Sequence, residues 1–213
     1  MEKEKEEEKE PESNSSLEVG TFTASRCLYV ILSREFRKWH GSKQGSRRIT
    51  PQKWEKPGVG WVQCNFDGAW DEVGERGGVG VVVRDENGEF VAATALHFRG
   101  VSSAVLAEIM AARASILFAR NLGVTQLEVQ GDTMMVINAL QGDKAALGNG
   151  MFGNVLHDAS QMLNWKAMFG PRETNKIAHR LARLGLIVDT QVSWFEEPPE
   201  IISNLLFENS ITI

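Results

Sequence analysis

Three acidic residues stand where chemistry could use them. Asp67 closes a candidate strand, WVQCNFD (61–67), and is followed at once by Gly68. Asp132 follows Gly131 just past a second candidate strand, TQLEVQG (125–131). Glu108 is a lone carboxylate in an apolar helical stretch, flanked by Val105, Leu106, Ala107, Ile109 and Met110. A carboxylate among apolar side chains is costly unless it is paired or binds a cation. Singly, each acid has a plain structural explanation: Asp67 as a turn residue, Asp132 as a helix N-cap, Glu108 on an exposed helix face. Taken together they fit a hard divalent cation, Mg²⁺ or Mn²⁺, because such ions prefer oxygen ligands. Two ions about 3.5–4 Å apart can hold both the attacking water and the leaving oxygen of a phosphodiester.

The elements that must position these acids are legible from periodicity. In the first strand Val62, Cys64 and Phe66 alternate with Gln63, Asn65 and Asp67, the period of an extended chain. Gly68 is expected to end it. A turn over Asp71–Gly78 leads to the β-branched run GVGVVVRD (78–85), and Asn87-Gly88 supplies hairpin chemistry before EFVAATALHF (89–98). These three strands predict an antiparallel meander. Ser102–Leu122 reads as a helix with Val105, Ile109, Ala112, Ile116 and Ala119 at helical spacing, Ser102 or Ser103 as N-cap and Gly123 as its stop. This crossover predicts that the fourth strand lies parallel to another, so that Asp67 and Asp132 emerge at one edge. Met134–Leu140 and Phe152–Asn164 read as short helices, Trp165–Phe169 as a fifth strand, and Thr174–Leu186 as an amphipathic helix. The tail holds Trp194 and an apolar segment, Ile201–Phe207, able to pack back on the domain. The fold class is α/β: a five-stranded mixed sheet flanked by helices.

Charge and composition set the frame. The 213 residues favour one domain with a tail. Residues 1–16 carry net −4, residues 17–60 net +6 and residues 61–213 net −7. The expected organisation is a disordered acidic tail and basic linker over 1–53, with a short helix at 24–40, then a folded domain over 54–208 and a terminus at 209–213. The acidic start lacks the apolar segment of a secretory signal, and Cys27–Leu32 is too short to span a bilayer. An intracellular, soluble monomer with no membrane association is expected, its compartment being nucleus or cytoplasm. Cys27 and Cys64 form neither a disulfide framework nor a zinc pattern.

Several ordered segments carry a family resemblance: NFDGAW (65–70), GGVGVVVRDENGE (77–89), AEIMAARASILFARNLG (107–123), LEVQGDTMMVINAL (127–140) and PRETNKIAHRLARLG (171–185). With the lead-in WEKPGVGWVQC (54–64) and the WFEEPP tail (194–199), they resemble the plant ribonuclease H-like domain shared with non-LTR retroelement reverse transcriptases. The resemblance covers roughly residues 54–208. It implies Asp67, Glu108 and Asp132 as metal ligands, Mg²⁺ or Mn²⁺ as cofactor in two copies with substrate, and hydrolysis of the RNA strand of an RNA–DNA hybrid. Contacts to such a hybrid would be to backbone and 2′-hydroxyls, with Arg172, Asn175 and Lys176 as the nucleic-acid-binding residues. The family's fourth acid, four residues after Asn175, is His179 here, and the family's His six residues before Asn175 is Phe169. Plant members often have His at the first of these positions, so His179 joins the candidate catalytic residues. The alternative reading is a catalytically weak or inactive, retroelement-derived module that binds nucleic acid or protein, favoured by Phe169, His179 and the acidic surface.

Overall fold

Among the described residues, regular structure begins on a run that alternates apolar and polar residues, and in the computed structural model that run is strand β1, Val62–Asp71. The structure describes residues 52–142, 151–162 and 164–210. The expected acidic tail, basic linker and helix at 24–40 lie outside these residues, except for the last two positions of the 1–53 segment. All of the described residues fall in one compact unit, Arg48–Ile213.

After β1 come β2 (Arg76–Arg84) and β3 (Phe90–Arg99), joined by the turn in which Gly88 has φ +86°. Helix α1 (Ala104–Asn121) follows, capped by the Ser103 hydroxyl, which accepts from the Leu106 amide. Then come β4 (Gln126–Gly131), α2 (Met134–Gln141), α3 (Met151–Ser160), β5 (Asn164–Phe169) and α4 (Lys176–Gly185). Strand β6 (Val192–Phe195) and helix α5 (Glu200–Ser210) complete the described chain.

The sheet order is β5-β4-β1-β2-β3-β6. β1, β2 and β3 form the antiparallel meander, and β4 lies parallel to both β1 and β5, as the α1 crossover requires. Among the described residues the sheet has six strands, not the five expected. Val192–Phe195 adds to β3 in antiparallel register, Ala93 opposite Trp194, with Thr94 and Ser193 hydroxyls bonded across the seam at 3.0 Å. Four residues beside Glu196-Glu197-Pro198 carry too little alternation to announce a strand; the exposed edge of β3 selects them.

Two other boundaries differ. β1 does not stop at Gly68 but continues to Asp71, and the helix expected over Phe152–Asn164 is Met151–Ser160, Asn164 already belonging to β5. The apolar tail does pack back. Ile202 and Leu205 of α5 join Val82, Ala93, Ile177 and Leu181 in one buried cluster, with Trp194 against it. Helix α4 reaches the sheet because Gly80 has no side chain: a Cβ there would lie 2.2 Å from the Ala178 carbonyl oxygen. No helix among the described residues is long and apolar enough to cross a membrane.

Candidate metal centre

Asp67 projects from inside β1, on the face that also carries Gln63 and Asn65. Gly68 beside it performs a different task from the one expected. A Cβ on Gly68 would stand 2.4 Å from the Ala107 carbonyl carbon and 2.5 Å from the Glu108 nitrogen. The missing side chain lets α1 cross directly over β1, which delivers Glu108 to Asp67. Asp132 sits one residue past β4, with Thr133 rather than Asp132 at the N-cap of α2. Because β1 and β4 are parallel neighbours, with Asn65 opposite Gln130, Asp67 and Asp132 leave the sheet at the same end.

The three acids meet. One carboxylate oxygen from each of Asp67, Glu108 and Asp132 lies within 4.8 Å of the other two. Asp67 is only 3% exposed. Burial, and then the nearby Asp132 charge, push its carboxyl up to about 6, against the partial relief of His179 and Arg172. Glu108 is raised well above the usual carboxylate range, by burial first and then by Asp67 and Asp132. Asp132 is raised by burial, an effect that Arg172 and His179 oppose. Glu108 Oε2 is buried with no hydrogen-bond partner. An oxygen-only donor set, mutually repelling and with one orphaned buried oxygen, is what a hard divalent cation neutralises. The residues fit such an ion.

Helix α4 adds a second tier. His179 Nδ1 lies 2.9 Å from Asp67 Oδ2, and Arg172 Nη2 lies 3.2 Å from His179 Nε2. A guanidinium only donates, so Nε2 accepts and Nδ1–H donates to Asp67. Arg172, His179 and Asp67 thus form a chain from the exposed loop to the buried carboxylate. Asn175 is placed differently from the expectation that it contacts nucleic acid. It is 1% exposed, and its Nδ2 donates to the Phe66 carbonyl at 2.8 Å, next to Asp67. Its Oδ1 is buried without a partner. Lys176 and Arg172 are exposed. Phe169 ends β5 opposite Gly131, 41% exposed, beside the loop that carries Arg172.

A polar network under the carboxylates went unread in the sequence. Arg84 is buried, lies 3.4 Å from the Trp54 ring centre and donates Nη2 to Asn65 Oδ1 at 2.6 Å. Asn65 Nδ2 in turn donates to Gln130 Oε1 at 2.6 Å, and Trp54 Nε1 donates to Gln63 Oε1. The available signal was the polar half of the β1 alternation, Gln63 and Asn65. Period 2 alone does not tell whether that face meets water or a covering segment.

The profile of the reverse transcriptase-like family matches residues 65–185, which contain all three carboxylates and His179. No curated protein matches the chain. Among solved structures, the chain is similar to ribonuclease H1 of the archaeon Halobacterium salinarum, with 25% identity and a TM-score of 0.53, covering 59% of this chain and 96% of that one. It is similar to the N-terminal ribonuclease H domain of a Mycobacterium tuberculosis protein, with 22% identity and a TM-score of 0.52, covering 59% and 93%. It also resembles LC11 ribonuclease H1, solved in complex with an RNA/DNA hybrid, with 19% identity and a TM-score of 0.51, covering 59% and 96%. The meander, the parallel strands and the acid-bearing helix therefore form a ribonuclease H-like fold, and the chain belongs to the reverse transcriptase-like family.

Proposed function

We propose that this domain is a metal-dependent endonuclease that hydrolyses the RNA strand of RNA–DNA hybrids. The observation that carries the reading is the convergence of Asp67, Glu108 and Asp132 within 4.8 Å at the end of two parallel strands. The hybrid bound by LC11 ribonuclease H1, which shares the fold, supports the substrate class.

In this reading Asp67, Glu108 and Asp132 are the ligands for Mg²⁺ or Mn²⁺, two ions being held when substrate is bound. Such ions, when bound, neutralise charge on the scissile phosphate and make a bound water acidic enough to attack. The chain's own residues do the rest. His179 holds Asp67 Oδ2 through its Nδ1–H, so Asp67 keeps one orientation. Asn175 fixes the β1 backbone at Phe66 and is a positioning residue. Arg172 and Lys176, exposed on one side of the centre, pair with the phosphates of the substrate strand.

The second reading, a weakly active or inactive nucleic-acid-binding module, rests on His179. Imidazole stands where a fourth acid is expected, and it is a poorer Mg²⁺ ligand than carboxylate. Cleavage of a labelled RNA–DNA hybrid in Mg²⁺ or Mn²⁺ by wild type and Asp67→Asn decides between them. Cleavage by wild type alone supports the nuclease. Absence of cleavage by either, with hybrid binding retained, establishes the binding module instead. Equal cleavage by both overturns the assignment of Asp67.

A further inference from the structure

A cavity of about 420 Å³ opens over β1 and β4, lined among others by Trp54, Gln63, Gln130 and Phe169, with Lys53, Glu55 and Lys56 at its walls. Residues 52–64 of this wall precede the stretch that matches the family profile, which begins at residue 65. The cavity is therefore partly built by the lead-in, outside the stretch that the profile matches.

The hydrogen-bond order of its polar groups follows from the donors. Arg84 only donates, so Asn65 presents Oδ1 to it and Nδ2 to Gln130. Gln130 must then accept through Oε1, which leaves its amide nitrogen as the group this bond does not use. By the same logic the indole N–H of Trp54 takes Gln63 Oε1 and leaves the Gln63 nitrogen. The one acidic side chain buried in the wall, Glu128, is engaged by Lys166 at 2.6 Å. The cavity thus offers the Gln130 amide N–H₂ and that of the almost buried Gln63, with Lys53, Lys56 and Glu55 exposed at its walls and Phe169 as its exposed aromatic surface, the Trp54 ring being buried against Arg84. Its complement is a flat ligand whose edge carries carbonyl acceptors.

Position completes the argument. Gln130 and Gln63 stand two and four residues before Asp132 and Asp67 on parallel neighbouring strands, so their backbones lie about 7 and 13 Å from those of the acids at about 3.3 Å per residue. That span is two to four nucleotide steps at the stacked rise of about 3.4 Å, and fewer when the strand is extended. The loop after Phe169 borders both the cavity and the centre, since Pro171 and Thr174 line the first and Arg172 touches His179 in the second.

We propose that this cavity receives one unpaired nucleobase of the strand held at the carboxylates, binding a carbonyl-bearing edge such as that of uracil or guanine. The proposal rests on the nucleic-acid reading above and deepens it: the preferred substrate is a hybrid with a single-stranded extension rather than a blunt one. The test uses the full-length chain in Ca²⁺, to leave the strand intact, and fluorescein-labelled hybrids bearing a four-uridine RNA extension at either end. Each uridine is replaced in turn by an abasic nucleotide, and affinity is read by anisotropy. An abasic substitution at one position is expected to weaken binding about tenfold, the scale of losing one stacked base. Gln130→Leu should reduce that difference to less than threefold. Because Gln130 also holds Asn65, the exposed Phe169→Ala serves as the second variant, with the same expected effect. Blunt and extended hybrids bound alike, with every abasic substitution within twofold, would overturn the pocket and leave the nuclease reading standing. An undiminished abasic effect in both variants would also overturn it. No binding or cleavage of any hybrid would overturn both.

Discussion

Replacing Asp67 by Asn should stabilise the protein when no metal is bound, while abolishing its cleavage. Asp67 is 3% exposed, and its carboxyl is raised from 3.8 to about 6, first by burial and then by the Asp132 charge. At 1.36 kcal/mol per pKa unit, holding Asp67 ionised at pH 7 costs the folded state roughly 3 kcal/mol. Asn keeps an oxygen able to accept from His179 Nδ1, and the raised carboxyl is already net of the His179 contribution. The gain is about 3 kcal/mol, or roughly 6–12 °C in Tm for a domain of this size. The sign follows from proton binding. Between pH 4 and 6 the folded state holds more protons on Asp67 than the unfolded chain, so wild-type stability falls as pH rises through this window. The advantage of the variant should therefore be full at pH 7.5 and about half as large near pH 5. Urea denaturation in EDTA at the two pH values measures it. Adding Mg²⁺ should raise the stability of wild type more than that of the variant, because binding to the folded state alone is stabilising. A variant less stable than wild type at pH 7.5 in EDTA would refute the reasoning. So would an advantage that does not shrink at pH 5.

Other positions give independent checks. His179→Asp adds a fourth carboxylate beside Asp67; the metal-free protein should lose about 1–2 kcal/mol, and Mg²⁺ should raise its Tm by more than it raises that of wild type, read by differential scanning fluorimetry. Asn175→Ala removes a buried bond to the Phe66 carbonyl and should cost about 1–3 kcal/mol in urea denaturation, with cleavage reduced further than the unfolded fraction explains. Gly80→Ala places a methyl 2.2 Å from the Ala178 oxygen; displacing α4 should cost at least about 2–3 kcal/mol in the same assay. Lys176→Ala should weaken hybrid binding evenly across sequences and lower the slope of log K against log salt by about one.

The positions of Asp67, Glu108 and Asp132 were legible in the sequence. A period-2 run, a period-3.6 run and a short strand each end on, or carry, an acid, and it is their joint occurrence that points to a cation. The crossover logic then places β4 parallel to β1, because a helix between strands returns the chain to the same end of the sheet. His179 and Phe169 were visible as departures from the family pattern, because fixed offsets from Asn175 locate them.

Side-chain partnerships across long separations were not legible. Gly68 reads locally as a stop, yet its service is to a helix about forty residues later, whose backbone would strike any Cβ there. The family resemblance makes Asn175 a nucleic-acid contact, but the start of α4 turns it into the sheet, where it donates to the Phe66 carbonyl. β6 exists because β3 leaves an edge unpaired, which four residues of weak pattern can fill. The polar half of β1 becomes a buried network only when Trp54 covers Arg84. By itself, then, the sequence determined the fold class and the three acids, since hydrophobic period and residue type are local properties. Tertiary structure alone decided which acids touch, which imidazole restrains them and where a cavity opens over β1 and β4, since these depend on close approaches between residues far apart in the chain.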